Sequence, residues 1–357
     1  QLPSHRWKIL IPTAMVAVAA LVAGGLYFRS RHAAPLTERD TIVLVDFTNT
    51  TGDPVFDGTL RQGLAVQLEQ SPFLSIVSDE RVQQTLRLMG QPPDAKLTPE
   101  IAREICQRTE SAAVLNGSVS QIGTQYSLIL KAVNCPTGES LASTEAQASD
   151  KNHVLDALGK VASEFRRKLG ESLGTVQKFD TPLAHATTLS LEALQAYSLG
   201  AQALGVKDDS AAAVPFFQRA ILLDPNFAMA YAALGASYNN LGEISLAVEH
   251  TRKAYELRER VSEREKFDID AEYYRLGTGN MEKARQACEL WAQTYPRDSS
   301  PHIGLGLIYE TLGQYDRHLT AMREALRLGP GSGVNYANLV GHLTGRHCWA
   351  GWRYCRY

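Results

Sequence analysis

The stretches AYAALGASYNNLGEISLAVEHTRKAYEL (Ala230–Leu257) and PHIGLGLIYETLGQYDRHLTAMREALRL (Pro301–Leu328) read as two copies of one pattern. Tyr231 and His302 hold one phase of it, Gly235 and Gly306 follow at a small-residue position, and Tyr238 and Tyr309 come next. Tyr197 lies 34 residues before Tyr231, and Tyr336 lies 34 after His302. A period of this length marks an array whose unit is a helix pair. The second helices repeat too: Ala213, Ala247 and Ala284 hold one small position, and Ala220, Ala254 and Ala325 another. Pro225, Pro296 and Pro330 close their units, because proline cannot continue a helix.

This set resembles the tetratricopeptide repeat. The units run over about 194–227, 228–261, 265–298 and 299–332, with a partial fifth at 333–343. The register slips by three residues around ERVSER (Glu259–Arg264), and Glu259 stands where the other units have proline. The third unit also carries Asp268 and Glu272 at positions that are usually aromatic and small. Pro215 falls inside the second helix of the first unit, where a distortion is expected. Stacked helix pairs form a superhelix with a long concave face suited to a peptide or a partner helix. By resemblance, that groove includes Gln202, Asn239, Asn240, Tyr273 and Glu310; the alternative is that these are solvated helix positions.

Before the array, residues 41–175 alternate short apolar runs with amphipathic ones. TIVLVDF (Thr41–Phe47) reads as a strand buried on both faces and FLSIVS (Phe73–Ser78) as a second strand. Leu60, Leu64 and Leu68 mark a helix with Asp57 as its cap, and Val82, Leu86 and Met89 mark another. Thr98-Pro99-Glu100 is a cap followed by proline in the first turn. Three strands follow, separated by the turn residues Gly123-Thr124 and Pro136-Thr137-Gly138, and read as an antiparallel meander. A long helix then spans about Asn152 to Leu173, with Val154, Leu158, Val161, Phe165 and Leu169 on one face.

The order VLVDFTNTTGDPVFDGTLRQGLAVQLEQSPFLSIVS, then IAREICQRTESAAVLNGSVSQIG, then YSLILKAVNCPTGESL, resembles the TolB-like domain of periplasmic and membrane-anchored bacterial proteins. Within that family it is similar to the region after the membrane helix in acidobacterial-type receptor serine/threonine protein kinases. The resemblance implies an extracytoplasmic domain with no catalytic residues. The combination with repeats is also similar to the rear half of membrane-bound transcription regulators and cyclases.

Nearer the start, ILIPTAMVAVAALVAGGLYF (Ile9–Phe28) is uncharged and long enough for a helix to cross about 30 Å of hydrocarbon. It is expected to anchor the chain once in the inner membrane, with residues 1–8 juxtamembrane and 29–40 a linker; a secretory signal peptide is the alternative reading. Arg6 and Lys8 before it and Arg29 and Arg31 after it leave the orientation undecided by charge.

A formal charge of −2 over 357 residues, with no basic stripe, speaks against nucleic acid as a partner. Phosphate-loop, nucleophile-elbow, H-E-x-x-H and kinase signatures are absent from the sequence, so neither a catalytic site nor a cofactor is expected within it. Asp46, Asp53 and Asp57 lack the pattern of a calcium loop and read as turn and cap residues. The five cysteines show no zinc spacing, and a disulfide framework is not expected. The tail at 344–357 drops the repeat pattern and reads as a truncated or out-of-frame end. The expected architecture is α+β plus all-α: a transmembrane helix, a TolB-like mixed α/β domain, then a tetratricopeptide α-solenoid. A membrane-anchored regulatory or interaction region of a kinase-like receptor, its kinase upstream, is the leading functional expectation. A stand-alone scaffold is the alternative.

Overall fold

The computed structural model describes residues 36–37, 40–93, 95–207 and 209–330. The run Ile9–Phe28, the partial fifth repeat and the tail lie outside them. No helix among the described residues is long and apolar enough to cross a membrane.

The first half is built on a small mixed sheet. Strands β1 (Ile42–Leu44) and β2 (Thr48–Asn49) both lie parallel along β3 (Ala113–Ile122), and β4 (Gln125–Asn134) and β5 (Ser140–Ala148) complete an antiparallel meander. β1 is buried on both faces because helices cover both. Ile42 and Leu44 join Leu115 and Leu130 under α1 (Thr59–Glu69) and α4 (Val154–Lys168). Val43 and Val45 join Val114 under α2 (Asp79–Leu88) and α3 (Pro99–Arg108). Leu60, Leu64 and Leu68 on α1, and Val154, Leu158, Val161 and Phe165 on α4, are all at most 1% exposed. Gly117 on β3 admits the ring of Phe47, which a Cβ there would strike.

Three local expectations change. Phe73–Ser78 is not a strand: it touches the sheet through one bridge, Ile42 to Ile76, because the chain turns immediately into the Ser78 cap of α2. Asp57 does not cap α1, whose N-cap is Gly58; the Asp57 carboxylate accepts instead from Asn49 Nδ2 at 2.9 Å. The cysteines do pair, since Cys106 at the end of α3 is bonded to Cys135 at the β4–β5 turn. Their 29-residue separation showed none of the short spacings by which a bridge is read from sequence; only the packing of α3 against β3 brings them together.

After α4 the chain reverses through α5 (Leu173–Lys178) and α6 (Leu183–Ala186), and a buried polar network pins that reversal. The Arg166 guanidinium, fully buried, donates from Nε and Nη2 to the two oxygens of Glu171, each at 2.8 Å, and from Nη1 to the Phe179 carbonyl at 3.2 Å. Ser71 donates to Glu171 at 2.7 Å, while Gln67 and Ser163 both donate to Asp180. Gln70 exchanges two bonds with the Thr181 backbone.

Four helix pairs follow: α7 (Leu191–Lys207) with α8 (Ser210–Leu223), α9 (Ala228–Asn240) with α10 (Ile244–Glu256), α11 (Glu263–Glu272) with α12 (Met281–Thr294), and α13 (Ser300–Thr311) with α14 (Tyr315–Leu328). The small residues allow close approach within a pair. A Cβ on Gly235 would lie 2.7 Å from Thr251 Oγ1, and one on Gly306 would strike Met322. Ala213, Ala247 and Ala284 are wholly buried. Pro215 lies inside α8, as the sequence placed it. The slipped third unit is accommodated by a 3-10 turn at Arg258–Arg260 and a Ser262–Glu265 capping box. A π turn at Tyr273–Gly277 then ends its first helix. One apolar core runs from the sheet through Leu183 and Leu194 to Phe227 and Ala230, so the α/β layer and the start of the array are a single packed body.

Glu171→Ala strands a buried guanidinium and is expected to cost about 3–5 kcal/mol in urea unfolding; a loss below about 1 kcal/mol contradicts the role given to this pair. Reducing Cys106–Cys135 frees a loop of roughly 30 residues and is expected to cost about 3–4 kcal/mol, read as a melting temperature lowered by reductant in the wild type but not in a Cys106→Ala variant.

Candidate functional site

The array does not stand clear of the α/β layer. α7 packs on α1, on α2 and on the 3-10 turn at Pro54–Phe56. Lys151 Nζ sits between Asp53 at 3.0 Å and Glu192, on α7, at 3.1 Å. Farther along, Arg264 on α11 reaches Glu69 at the end of α1 at 3.4 Å, and Arg297 donates to the Asp40 carbonyl at 2.9 Å. Tyr295 meets Phe179 edge-on at 5.8 Å. The chain's own helix α1 thus touches both the first helix of the array and its third repeat.

Between these contacts lies a recess of about 560 Å³. Its walls include Arg61 and Glu69 from α1, Arg81 from α2, and Arg264, Tyr295 and Asp298 from the third repeat and the turn after it. Arg61 pairs with Asp79 at 2.6 Å and lies 3.6 Å from Asp46. Asp298 is held firmly: it accepts from Arg264 Nε at 2.7 Å, Trp291 Nε1 at 3.1 Å and the Ser300 amide at 2.9 Å. Desolvation pushes the Glu69 carboxyl above its usual range although part of its side chain meets water in the recess. Burial likewise pushes Glu265 and Asp268 up to about 7, with the Glu272 charge adding to the effect at Asp268. The free thiol among the described residues, Cys288, is pushed by burial to about 12, so it stays protonated and unreactive.

The five residues read as groove positions are not the ones gathered at this recess. Gln202 on α7 is exposed. Asn239 and Glu310 are half-buried on α9 and α13. Asn240 Nδ2 donates to Ser210 Oγ at 3.2 Å, tying α9 to the start of α8. Tyr273 is stacked on Tyr255 with ring centroids 3.7 Å apart, and Arg258 covers the same Tyr255 ring at 3.8 Å. What the positional reading missed is Glu69, Arg264, Glu265, Asp268 and Asp298. A signal for one of them was present: Asp268, like Glu272, breaks the repeat pattern, and a charge placed where the family has an aromatic or small side chain reports an altered environment. Nothing in the local sequence ties Glu69 to Arg264.

Fold and site together define a class: a helical repeat array joined to a small α/β layer through a polar seam. Residues 301–331 match the tetratricopeptide repeat family, which covers the fourth helix pair. No curated protein matches the chain. Among solved structures, the C-terminal domain of LpoB from Salmonella enterica is 19% identical with a TM-score of 0.31, over 34% of this chain and 91% of that one. A thermophilic tetratricopeptide repeat protein of Thermus thermophilus is 22% identical with a TM-score of 0.32, over 43% and 84%. MamA from Desulfovibrio magneticus is 19% identical with a TM-score of 0.29, over 44% and 87%. At such scores none of the three bears on this chain, and its architecture rests on the helix pairs and the sheet described above.

Arg264→Met keeps the side chain's bulk but leaves Asp298 and Glu69 without their cation. It is expected to lower stability by about 1–3 kcal/mol, measured by urea unfolding; an unchanged midpoint and slope contradicts the bridge.

Proposed function

We propose that this chain is a membrane-anchored interaction region whose repeat array receives a protein or peptide partner outside the cytoplasm. The observation that carries the reading is the tetratricopeptide match at residues 301–331, in line with three further helix pairs. Arrays of this kind present an extended surface suited to binding a partner. Two further features support the placement. The apolar run Ile9–Phe28 suits a single crossing of the inner membrane. The Cys106–Cys135 disulfide suits an oxidising compartment rather than the reducing cytosol.

The finer reading, on the strength of the sequence resemblance, is the sensing part of a receptor serine/threonine kinase-like protein with the kinase upstream. A lone scaffold, or the rear part of a membrane-bound transcription regulator, differs from it in what precedes Gln1. A reading frame carrying the kinase lysine, H-R-D and D-F-G elements upstream supports the receptor; a winged-helix or cyclase domain there replaces it.

Topology is tested by fusing alkaline phosphatase or a fluorescent reporter to each side of Ile9–Phe28. Phosphatase activity on the C-terminal side is the expected result. Fluorescence on that side and no phosphatase activity places the repeats in the cytoplasm and overturns the proposal.

A further inference from the structure

The sheet has two outer edges, and the chain treats them differently. Along β5 the Ser143 carbonyl is taken by Lys168 Nζ at 2.8 Å, and a lysine laid on an edge keeps further strands away. The opposite edge is Leu74–Ser78. There Ile42 of β1 donates to the Ser75 carbonyl and accepts from the Val77 amide, both at 2.9 Å, in a parallel pairing centred on Ile76. In an extended chain the amide and carbonyl of one residue point to the same side, and those of its neighbours to the other. The Ile76 amide and carbonyl are therefore turned away from β1, and neither has a hydrogen-bond partner among the described residues.

Both faces of this segment are already covered. Leu74, with Ile76 against it, belongs to the core under α1, and Val77 lies in the core with Val82 and Leu86 of α2. What the segment turns to the recess is accordingly its edge, and Leu74–Ser78 form one wall. Tyr295, Ser300 and Ile303 stand on the side of the array, with Gly205 of α7. Two buried polar atoms in these walls, the Tyr295 hydroxyl and Arg61 Nε, have no hydrogen-bond partner among the described residues, and both can donate. Arg264 with Glu69, and Arg297 with the Asp40 carbonyl, join the α/β layer to the array, so the recess is preformed.

An unpaired edge facing a preformed recess is a template for one more strand. We propose that the recess is a strand-addition site, in which an extended segment of a partner protein lies along Leu74–Ser78 and exchanges backbone hydrogen bonds with Ile76. Its side chains alternate between α1, where Arg61, Ala65 and Glu69 meet them, and α2, where Arg81 does. Main-chain bonds supply the affinity and these two sides the selectivity. A recess of about 560 Å³ takes a short extended segment and not the edge of a second folded sheet, which favours a partner's loop or tail over another copy of this chain. The site rests on the reading that this chain receives a peptide, and narrows it: the peptide enters between the array and the α/β layer.

The test starts from random octapeptides displayed on phage and selected on the full chain in detergent, the selected sequences then being synthesised with a fluorescent label for titration. N-methylation of each backbone amide of a bound peptide in turn is expected to weaken binding at least about tenfold at every second position and little between, because alternate amides face the template edge. Gly205→Trp is expected to weaken the same peptides by a similar factor by filling the recess. A side chain at Gly205 meets nothing within 4 Å, and a helix favours it over glycine, so the melting temperature is expected not to fall. The N-methyl scan changes nothing in the protein and decides the question even if that variant does not fold. Peptides that bind without the alternation, or equally well to folded Gly205→Trp, overturn the strand-addition site and leave the peptide-receiving reading standing. A chain that selects no peptide overturns both. Self-association in sedimentation velocity that Gly205→Trp abolishes assigns the edge to a second copy, and alternating binding of a synthetic peptide of residues 331–343 assigns it to the chain's own sequence; either result overturns the foreign partner.

Discussion

The Arg166 guanidinium has no access to water, and the rest of the molecule is arranged around satisfying it. An isolated buried cation is costly, so the chain after α4 must double back to bring Glu171 and the Phe179 carbonyl onto it. Ser71, Gln67 and Gln70 at the end of α1 reach the same reversal. That reversal sets where α6 and α7 begin, and α7 is the first helix of the array. Tying α1, α4 and the reversal together therefore fixes the angle at which the repeats leave the α/β layer.

From that start the third repeat and the turn after it meet the α/β layer again, through Arg264 with Glu69, Arg297 with the Asp40 carbonyl and Tyr295 with Phe179. The cost of the return is visible in the sequence of the third unit, which gives up apolar repeat positions for Asp268 and Glu272 and takes a capping box, a 3-10 turn and a π turn to fit. Arg264 is the element that makes the closure tolerable, since it neutralises Asp298 and lies near Glu69. A free-standing array would leave its inner face open along its length. Here part of the array's surface is already covered by the chain itself.

Much of this was legible one segment at a time. The 34-residue phase located four helix pairs because close approach of two helices admits only Gly or Ala, as Gly235, Ala247 and Ala284 show. The meander was legible because its turns need glycine: Gly123 and Gly138 both have positive φ. The Thr98 cap followed the same local logic. By contrast, Asp57 and Phe73–Ser78 carried local signals that their neighbours outweighed. The groove residues are spread along the helices of the array, and a family position says which side of a helix a residue occupies and not what the fold places opposite it; for Tyr273 that is another tyrosine.

What the amino-acid sequence determined by itself was the identity and order of the elements: strand, helix and repeat periodicities are properties of neighbours in the chain, within reach of one another whatever the rest does. What the tertiary structure alone decided was every contact between residues far apart: Cys106 with Cys135, Gln67 with Asp180, and Glu69 with Arg264. Such pairs leave no periodic trace, because each depends on the angle at which one packed unit meets another. The seam, in which Arg264 pairs with Glu69 and Asp298, exists only once that angle is set.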